Sequence, residues 1–331
     1  MKSFFNTTPL SFDELFELEK NIYDDQIIPK DTTHIPIINT KHRYKEIFLD
    51  KSFNKPENIF FIKYKKNIFF GRKIRSILNI NNKIKAINCS RINASMLLGF
   101  LSSYSLENEN IFIEYFPLEH GEKLAIFDEI KKDRLLNIDY PFRYYDFYTK
   151  KEKSCPKTGW SLNPEKVLYL GFGEKHIRDY TLAYLKQFMK GNEILYDPAC
   201  STGEFLFTLK KEFPTCKTIG QDLSEEMVNY ARDYIDEVYY GDAINSPLID
   251  LTVDMMFLRF LNAEVVDTMT AYSLFDKLLK KVKKGGLIFC FGHTPVLIKE
   301  KYFYHKKLSI LQKNGYNKES DSIFQYYILR K

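Results

Sequence analysis

From residue 193 to residue 293 the chain repeats one pattern: a short apolar run ending in a turn, then a segment with helical spacing. EILYDPA (193–199), CKTIGQD (216–222), EVYYGDA (237–243), LTVDMMFLRF (251–260) and GGLIFCFGH (285–293) read as strands. GEFLFTLKKEF (203–213) sets Phe205, Leu206 and Leu209 on one helical face. SEEMVNYARDYI (224–235) is a second helix with Ser224 as N-cap, and a third covers about 267–282. Strands alternating with helices require right-handed crossovers, so the expected architecture is a mostly parallel, doubly wound α/β sheet. The tail departs from the pattern. EKYFYHKKLSILQKNG (300–315) reads as a helix stopping at Gly315, and KESDSIFQYYILRK as one or two strands with no helix between them. That ending predicts an antiparallel hairpin closing one edge of the sheet.

A length of 331 residues suits two domains. The first half is expected to form a mixed α/β or mostly helical cap or substrate domain (1–165), joined between about 160 and 175 to the sheet domain (166–331). SFDELFELEKNIYDD (11–25) is a helix with a Ser-x-x-Glu capping box, NIFFIKYKKNIFF (58–70) alternates weakly, and NASMLLGFLSSYSL (93–106) reads as helical. The aromatic stretch 141–164 reads as a loop or linker. Five cysteines without C-x-x-C spacing argue against a disulfide framework or a zinc ribbon, and no metal site is expected. With no signal-like N-terminus and no long apolar run, the expectation is a cytoplasmic protein with no membrane partner.

In open parallel sheets, ligands bind beyond the carboxyl ends of the strands where the strand order reverses. The first strand–turn–helix, ILYDPACSTGEFL (194–206), is therefore the place to look. Ala199, Ser201, Thr202 and Gly203 keep the turn small enough for backbone N–H groups to approach a ligand. A dinucleotide loop, however, needs the G-x-G-x-x-G glycines to wrap a pyrophosphate, and DPACSTG lacks them. Asp197 would also repel phosphate and attract an ammonium group. Asp222, 19 residues after Gly203, ends the second strand, where an acid can accept both hydroxyls of a ribose. Asp242 follows the third and can accept from the exocyclic amine of adenine. Each of the two acids is alternatively a plain turn residue. Ribose, adenine and an ammonium without phosphate together describe S-adenosylmethionine.

YDPACSTGEFL, IGQDLSEEMVNYAR, YYGDA and DMMFLRFLNAEVV followed by KKGGLIFCFGH resemble, in order, the motifs of class I S-adenosylmethionine-dependent methyltransferases. The resemblance covers about 176–331. It implies a seven-stranded sheet of order 3-2-1-4-5-7-6. It also implies that Asp197, Ala199, Cys200, Ser201 and Gly203 meet the methionine part, that Asp222 holds the ribose, that Leu223 packs on adenine, and that Asp242 and Ala243 frame it. Where the family has D-x-G-x-G-x-G, this chain has Asp197, Ala199, Ser201 and Gly203. The serine and the large aromatic N-terminal part are similar to azetidine-2-carboxylate synthases of the same fold.

Other candidates keep two readings. Arg178 either reaches the cofactor carboxylate or is solvated, and Tyr180 points into the pocket or the core. His293 is a general base, a substrate contact or a turn residue, and Asn262 caps a helix or orients a substrate. Asn137 and the cluster Tyr140, Tyr144, Tyr145, Phe147 and Tyr148 form a lid over a sulfonium cation, or interdomain packing. The segment 63–85 carries eight Lys or Arg and no acid, either a phosphate-contacting face or a solvated one. A net charge of +6 is mild and does not demand nucleic acid, and the missing N/D-P-P-Y motif counts against an adenine or cytosine amine as acceptor, so an RNA methyltransferase using the basic face is the less favoured reading. The expected function is methyl transfer to a small molecule, releasing S-adenosylhomocysteine. The alternative is intramolecular cyclisation of S-adenosylmethionine to azetidine-2-carboxylate and methylthioadenosine. A homodimer is compatible with either.

Overall fold

A computed structural model describes residues 39–40, 43–44, 46–50, 56–73, 76–80, 83–87, 90–107, 110–143, 145, 151–152, 154, 164–263 and 265–331. The helix expected over 11–25 and most of the aromatic stretch 141–164 lie outside the described residues. The chain divides into two compact units, Met1–Tyr145 with Lys318–Phe324, and Asp146–Asn317 with Gln325–Lys331.

In the first unit, β1 (Asn39–Thr40) pairs with β2 (Arg43–Tyr44), and a six-stranded sheet contains β3 (Glu46–Asp50), β4 (Ile59–Tyr64) and β5 (Asn67–Arg72). β6 (Ser76–Ile80) and β7 (Lys83–Ile87) form a separate hairpin. The large sheet is completed by β8 (Leu97–Glu107), β9 (Asn110–Pro117) and, after α1 (His120–Ile130), β10 (Ile138–Asp139). Its order is β10-β4-β5-β8-β9-β3. Period-two alternation drives it: Ile111, Ile113 and Tyr115 of β9 turn inward against Ile59, Phe61 and Phe70. The helix expected over 93–106 is instead a strand. Asn93 does cap a helical turn, accepting from Ser95 N, but that turn is a 3₁₀ piece ending at Met96. From Leu97 onward β8 pairs with β5 and β9, so cross-strand pairing overrides the local helical spacing. Among the described residues this unit is β-rich with a single α-helix, not mostly helical.

The second unit opens with α2 (Pro164–Leu185), the helix expected to lead into the sheet. It continues with β11 (Ile194–Asp197), α3 (Glu204–Glu212), β12 (Lys217–Asp222), α4 (Glu225–Ala231) and β13 (Glu237–Tyr240). Then come β14 (Val253–Leu258), α5 (Thr268–Leu279), β15 (Val282–Phe291), α6 (Glu300–His305), β16 (Ser309–Asn317) and β17 (Ser322–Arg330). The seven-stranded sheet runs β13-β12-β11-β14-β15-β17-β16, or 3-2-1-4-5-7-6 numbered within the sheet. β11 to β15 pair in parallel, and β17 lies antiparallel to β15. The helix expected over 300–315 ends early: Lys307 takes a left-handed φ of 58° and Ser309–Asn317 is strand.

Both faces of the sheet are covered, which explains the near-continuous apolar runs of its central strands. Met256, Leu258, Ile288 and Cys290 pack on one face with Leu274, Phe275 and Leu278 of α5. The alternate residues form an aromatic layer on the other. Phe257 stacks on Phe289 at 4.9 Å, and Phe291 on Tyr326 at 4.8 Å. Thr181 of α2 closes it with a 2.5 Å hydrogen bond to the Tyr326 hydroxyl. Phe289 is fully buried within this layer. Phe289→Ala is expected to lower the unfolding free energy by about 3–5 kcal/mol in urea titration, because it opens a cavity between rigid rings.

Candidate functional site

The carboxyl ends of β11, β12 and β14 surround a cavity of about 440 Å³. Its first wall is the turn between β11 and α3. The β11–α3 turn places Ser201 at φ 54° and Gly203 at φ 77°, both in the left-handed region. A Cβ on Gly203 would stand 3.1 Å from the Ala231 Cβ, so glycine lets α3 begin against α4. Ser201 has no such freedom, and its strained backbone is held from the next strand: its N–H donates to Asp222 Oδ2 at 2.8 Å. Asp222 Oδ1 accepts from Ser224 N at 2.9 Å. Burial pushes the Asp222 carboxyl up, and the Ser224 and Ser201 N–H groups oppose that. The Cys200 N–H is bound to Gln221 O at 2.8 Å, which ties the turn further to β12.

Of the residues expected from the sequence, Ala199, Cys200, Ser201, Asp222, Leu223, Asp242, Ala243 and His293 line the cavity, as does Asn262. Leu223 is 37% exposed, an apolar side chain left open beside the Asp222 carboxylate. Asp242 accepts from Ile244 N at 3.1 Å, which fixes its carboxylate where β13 ends. Asn262 is held by two bonds, donating to Arg259 O and accepting from Thr294 Oγ1 at 2.9 Å. Two acids on adjacent strands with an exposed leucine between them fit a nucleoside: hydroxyls and an exocyclic amine to donate, and a flat apolar base to cover.

Other residues stand elsewhere. Asp197 is fully buried and is not on the cavity wall; the positive charge it meets is the guanidinium of Arg259. Arg178 is buried, donating to Gly171 O at 2.6 Å and pairing with Glu204 at 3.1 Å. The Tyr180 hydroxyl accepts from Gln312 Nε2 at 2.6 Å, and its ring packs on Tyr326. In the first unit, Asn137 immediately precedes β10, Tyr140 is buried edge-on to Phe60, and Tyr145 is exposed. Tyr144, Phe147 and Tyr148 lie outside the described residues. Lys73 of the basic 63–85 segment is buried, so that segment is not one continuous solvated face.

Sequence reasoning missed Glu174 and Arg259, both on the cavity wall. Arg259 Nε donates to Asp197 Oδ2 at 2.6 Å, its Nη1 to Glu174 Oε2, and its Nη2 to Ala199 O at 3.2 Å. Its guanidinium also lies over the Phe205 ring, 5.1 Å from the centroid. Glu174 Oε1 stands 3.2 Å from His293 Nε2. Burial alone would raise the Glu174 carboxyl; Arg259, His293 and Arg178 outweigh it and hold it down at about 2. Burial also pushes Asp197 up, opposed by Arg259 and the Ala199 N–H. A usable signal was present: an arginine ending the apolar run DMMFLRF must be buried, and a buried guanidinium needs carboxylates. Among the described residues no group of three or more His, Cys, Asp or Glu is set to hold a metal. No described helix is long and apolar enough to cross a membrane.

Residues 195–286 match the family model of a methyltransferase domain. Isonocardicin synthase of Nocardia uniformis subsp. tsuyamanensis is 30% identical over 281 residues, 84% of this chain and 92% of that protein. Among solved structures, a SAM-dependent methyltransferase from Aquifex aeolicus is similar at TM-score 0.39 and 18% identity. That match covers 52% of this chain and all of the other. One from Leishmania major is similar at TM-score 0.42 and 13% identity, over 53% of this chain and 81% of the other.

Removing Arg259 leaves two buried carboxylates without their counter-ion. Arg259→Ala is therefore expected to cost about 3–5 kcal/mol in chemical denaturation, with Arg259→Lys recovering only part, since one ammonium cannot span three acceptors. A pH dependence follows as well. With its folded value depressed, Glu174 contributes stability that is complete above its unfolded range and lost as pH falls toward about 2. In Arg259→Ala the folded value rises back toward the unfolded one, so this acid-side loss of stability should shrink, read as urea midpoints between about pH 2 and 6.

Proposed function

Because the chain belongs to the class I S-adenosylmethionine-dependent methyltransferase superfamily, in the branch that contains isonocardicin synthase, we propose that it transfers a methyl group to a small-molecule acceptor in specialised metabolism. S-adenosylmethionine is its cofactor or co-substrate. The observation that carries the reading is the placement of Asp222, Leu223 and Asp242 on one cavity wall, two acceptors and an apolar surface suited to a nucleoside, without a phosphate-binding glycine loop. Asp222 would hold the ribose hydroxyls, Leu223 and Ala243 the adenine faces, and Asp242 its exocyclic amine. Ser201 and the Arg259–Glu174 pair would meet the amino-acid part.

When bound, S-adenosylmethionine supplies an activated carbon on a positively charged sulfur. The protein's own task is then alignment and exclusion of water. The fixed turn and the doubly held Asn262 serve alignment. Phe205, Phe260 and Leu274 on the wall serve exclusion. The relative's name gives isonocardicin as its product, which supports a small molecule as the acceptor here.

A second reading, ring closure of the amino-acid chain to azetidine-2-carboxylate, is favoured by one observation. His293 stands on Glu174, a carboxylate–imidazole pair of the kind that takes up the proton an amine loses on attack. The nucleoside product separates the two. S-adenosylhomocysteine marks cleavage on the methyl side of sulfur, methylthioadenosine cleavage on the amino-acid side. Mass spectrometry after incubation with S-adenosylmethionine, with and without candidate acceptors, is expected to give S-adenosylhomocysteine and a methylated acceptor. Methylthioadenosine with the four-membered-ring amino acid would instead establish cyclisation, and absence of binding would remove both readings. Asp222→Ala is expected to weaken S-adenosylmethionine at least about tenfold in calorimetry, the loss of one charge-assisted pair of hydrogen bonds.

A further inference from the structure

The carboxylate positioned by sequence to meet an ammonium is already committed. Asp197 accepts from Arg259 Nε at Oδ2 and from Ala199 N at Oδ1 at 3.0 Å, and it is fully buried and off the cavity wall. Glu174 is also met at both oxygens, Oε2 by the same guanidinium and Oε1 by His293 Nε2 at 3.2 Å, but it is delivered from α2 onto the wall, where a ligand can reach it. The surrounding charges do not cancel. One guanidinium faces two carboxylates, and Arg178, which also acts on Glu174, is paired with Glu204. An excess negative charge in a buried cluster is costly unless a cation answers it. His293 is one group able to do so; a ligand cation entering the cavity is another.

We propose that Glu174 is the residue that binds the ammonium of the amino-acid part of S-adenosylmethionine, with Arg259 as the positioning residue that keeps its carboxylate on the wall. This deepens the cofactor reading above and rests on it, but on neither choice of reaction. The chemistry is selective. A carboxylate aimed at this end rewards an amine-bearing chain and gives nothing to a nucleoside that lacks one. Asp197 then acts through Arg259, which explains an aspartate at the turn that never reaches the ligand.

Calorimetry of wild type and Glu174→Gln with three probes tests this: S-adenosylhomocysteine, its deaminated analogue, and methylthioadenosine. For S-adenosylhomocysteine, Glu174→Gln should lose about tenfold or more in affinity, the size expected of a buried charge-assisted bond. The deaminated analogue and methylthioadenosine should bind both proteins within about twofold of each other, since neither carries the amine that Glu174 recognises. An equal loss for all three probes would assign Glu174 a structural role and overturn the proposal; so would an unchanged affinity for S-adenosylhomocysteine. Should the variant fail to fold, wild type alone decides, because equal affinity for S-adenosylhomocysteine and its deaminated analogue is also incompatible with the proposal. Methylthioadenosine binding with no discrimination for the amine would sink this inference and leave the cofactor reading standing. Binding of none of the probes would remove both.

Discussion

One guanidinium holds three parts of the sheet unit together. Arg259 follows β14, Asp197 ends β11, and Glu174 belongs to α2, the helix that precedes β11. A buried arginine costs several kcal/mol to desolvate unless its donors are satisfied, and here they reach two carboxylates and the Ala199 carbonyl. The arrangement therefore works as a registry device. It is stable only when the two strand ends and the helix stand in one relative position. That position is also the wall of the cavity.

The turn beside it depends on the same logic at smaller scale. Ser201 occupies a backbone conformation that favours glycine, and a hydrogen bond from its N–H to Asp222 on the neighbouring strand holds it there. Asp222 therefore has two tasks, as backbone clamp and as cavity wall. The missing glycines matter less than their absence suggests. A ligand without phosphates needs no ring of converging N–H groups, so the turn can spend them on Gln221 O and Asp222 instead. This is the physical sense in which an adenosyl ligand with an amino-acid tail suits the loop better than a dinucleotide does.

The distribution of charge around the cavity separates the two ends of such a ligand. In the proposed reading Asp222 and Asp242 would face the nucleoside end, and each accepts from backbone N–H groups, Asp222 from Ser201 and Ser224 and Asp242 from Ile244. The other end carries a denser cluster, where Glu174 meets both Arg259 and His293. Whether the ligand's amine keeps its proton there bears directly on the chemistry. An ammonium held against an ionised carboxylate has no lone pair for attack on carbon, whereas an amine that has lost its proton does.

The local rules read well where interactions are local. Alternating strands and helices, the Ser224 cap, the buried face of Phe205, Leu206 and Leu209, and the acids after β12 and β13 were all legible. So was the hairpin tail, because two strands without a helix between them cannot be parallel neighbours. The first half resisted for a physical reason. β8 has a local pattern compatible with a helix, and only pairing with β5 and β9, distant in sequence, makes it a strand. The same held for 309–315, where β16 joins the sheet edge beside β17. The sequence by itself determined the alternating sheet, its turn and the acids at the ends of its second and third strands. Only the tertiary structure decided that Asp197 is sealed away and Glu174 faces the cavity, because a buried charge takes its partner from whichever distant element folding brings beside it.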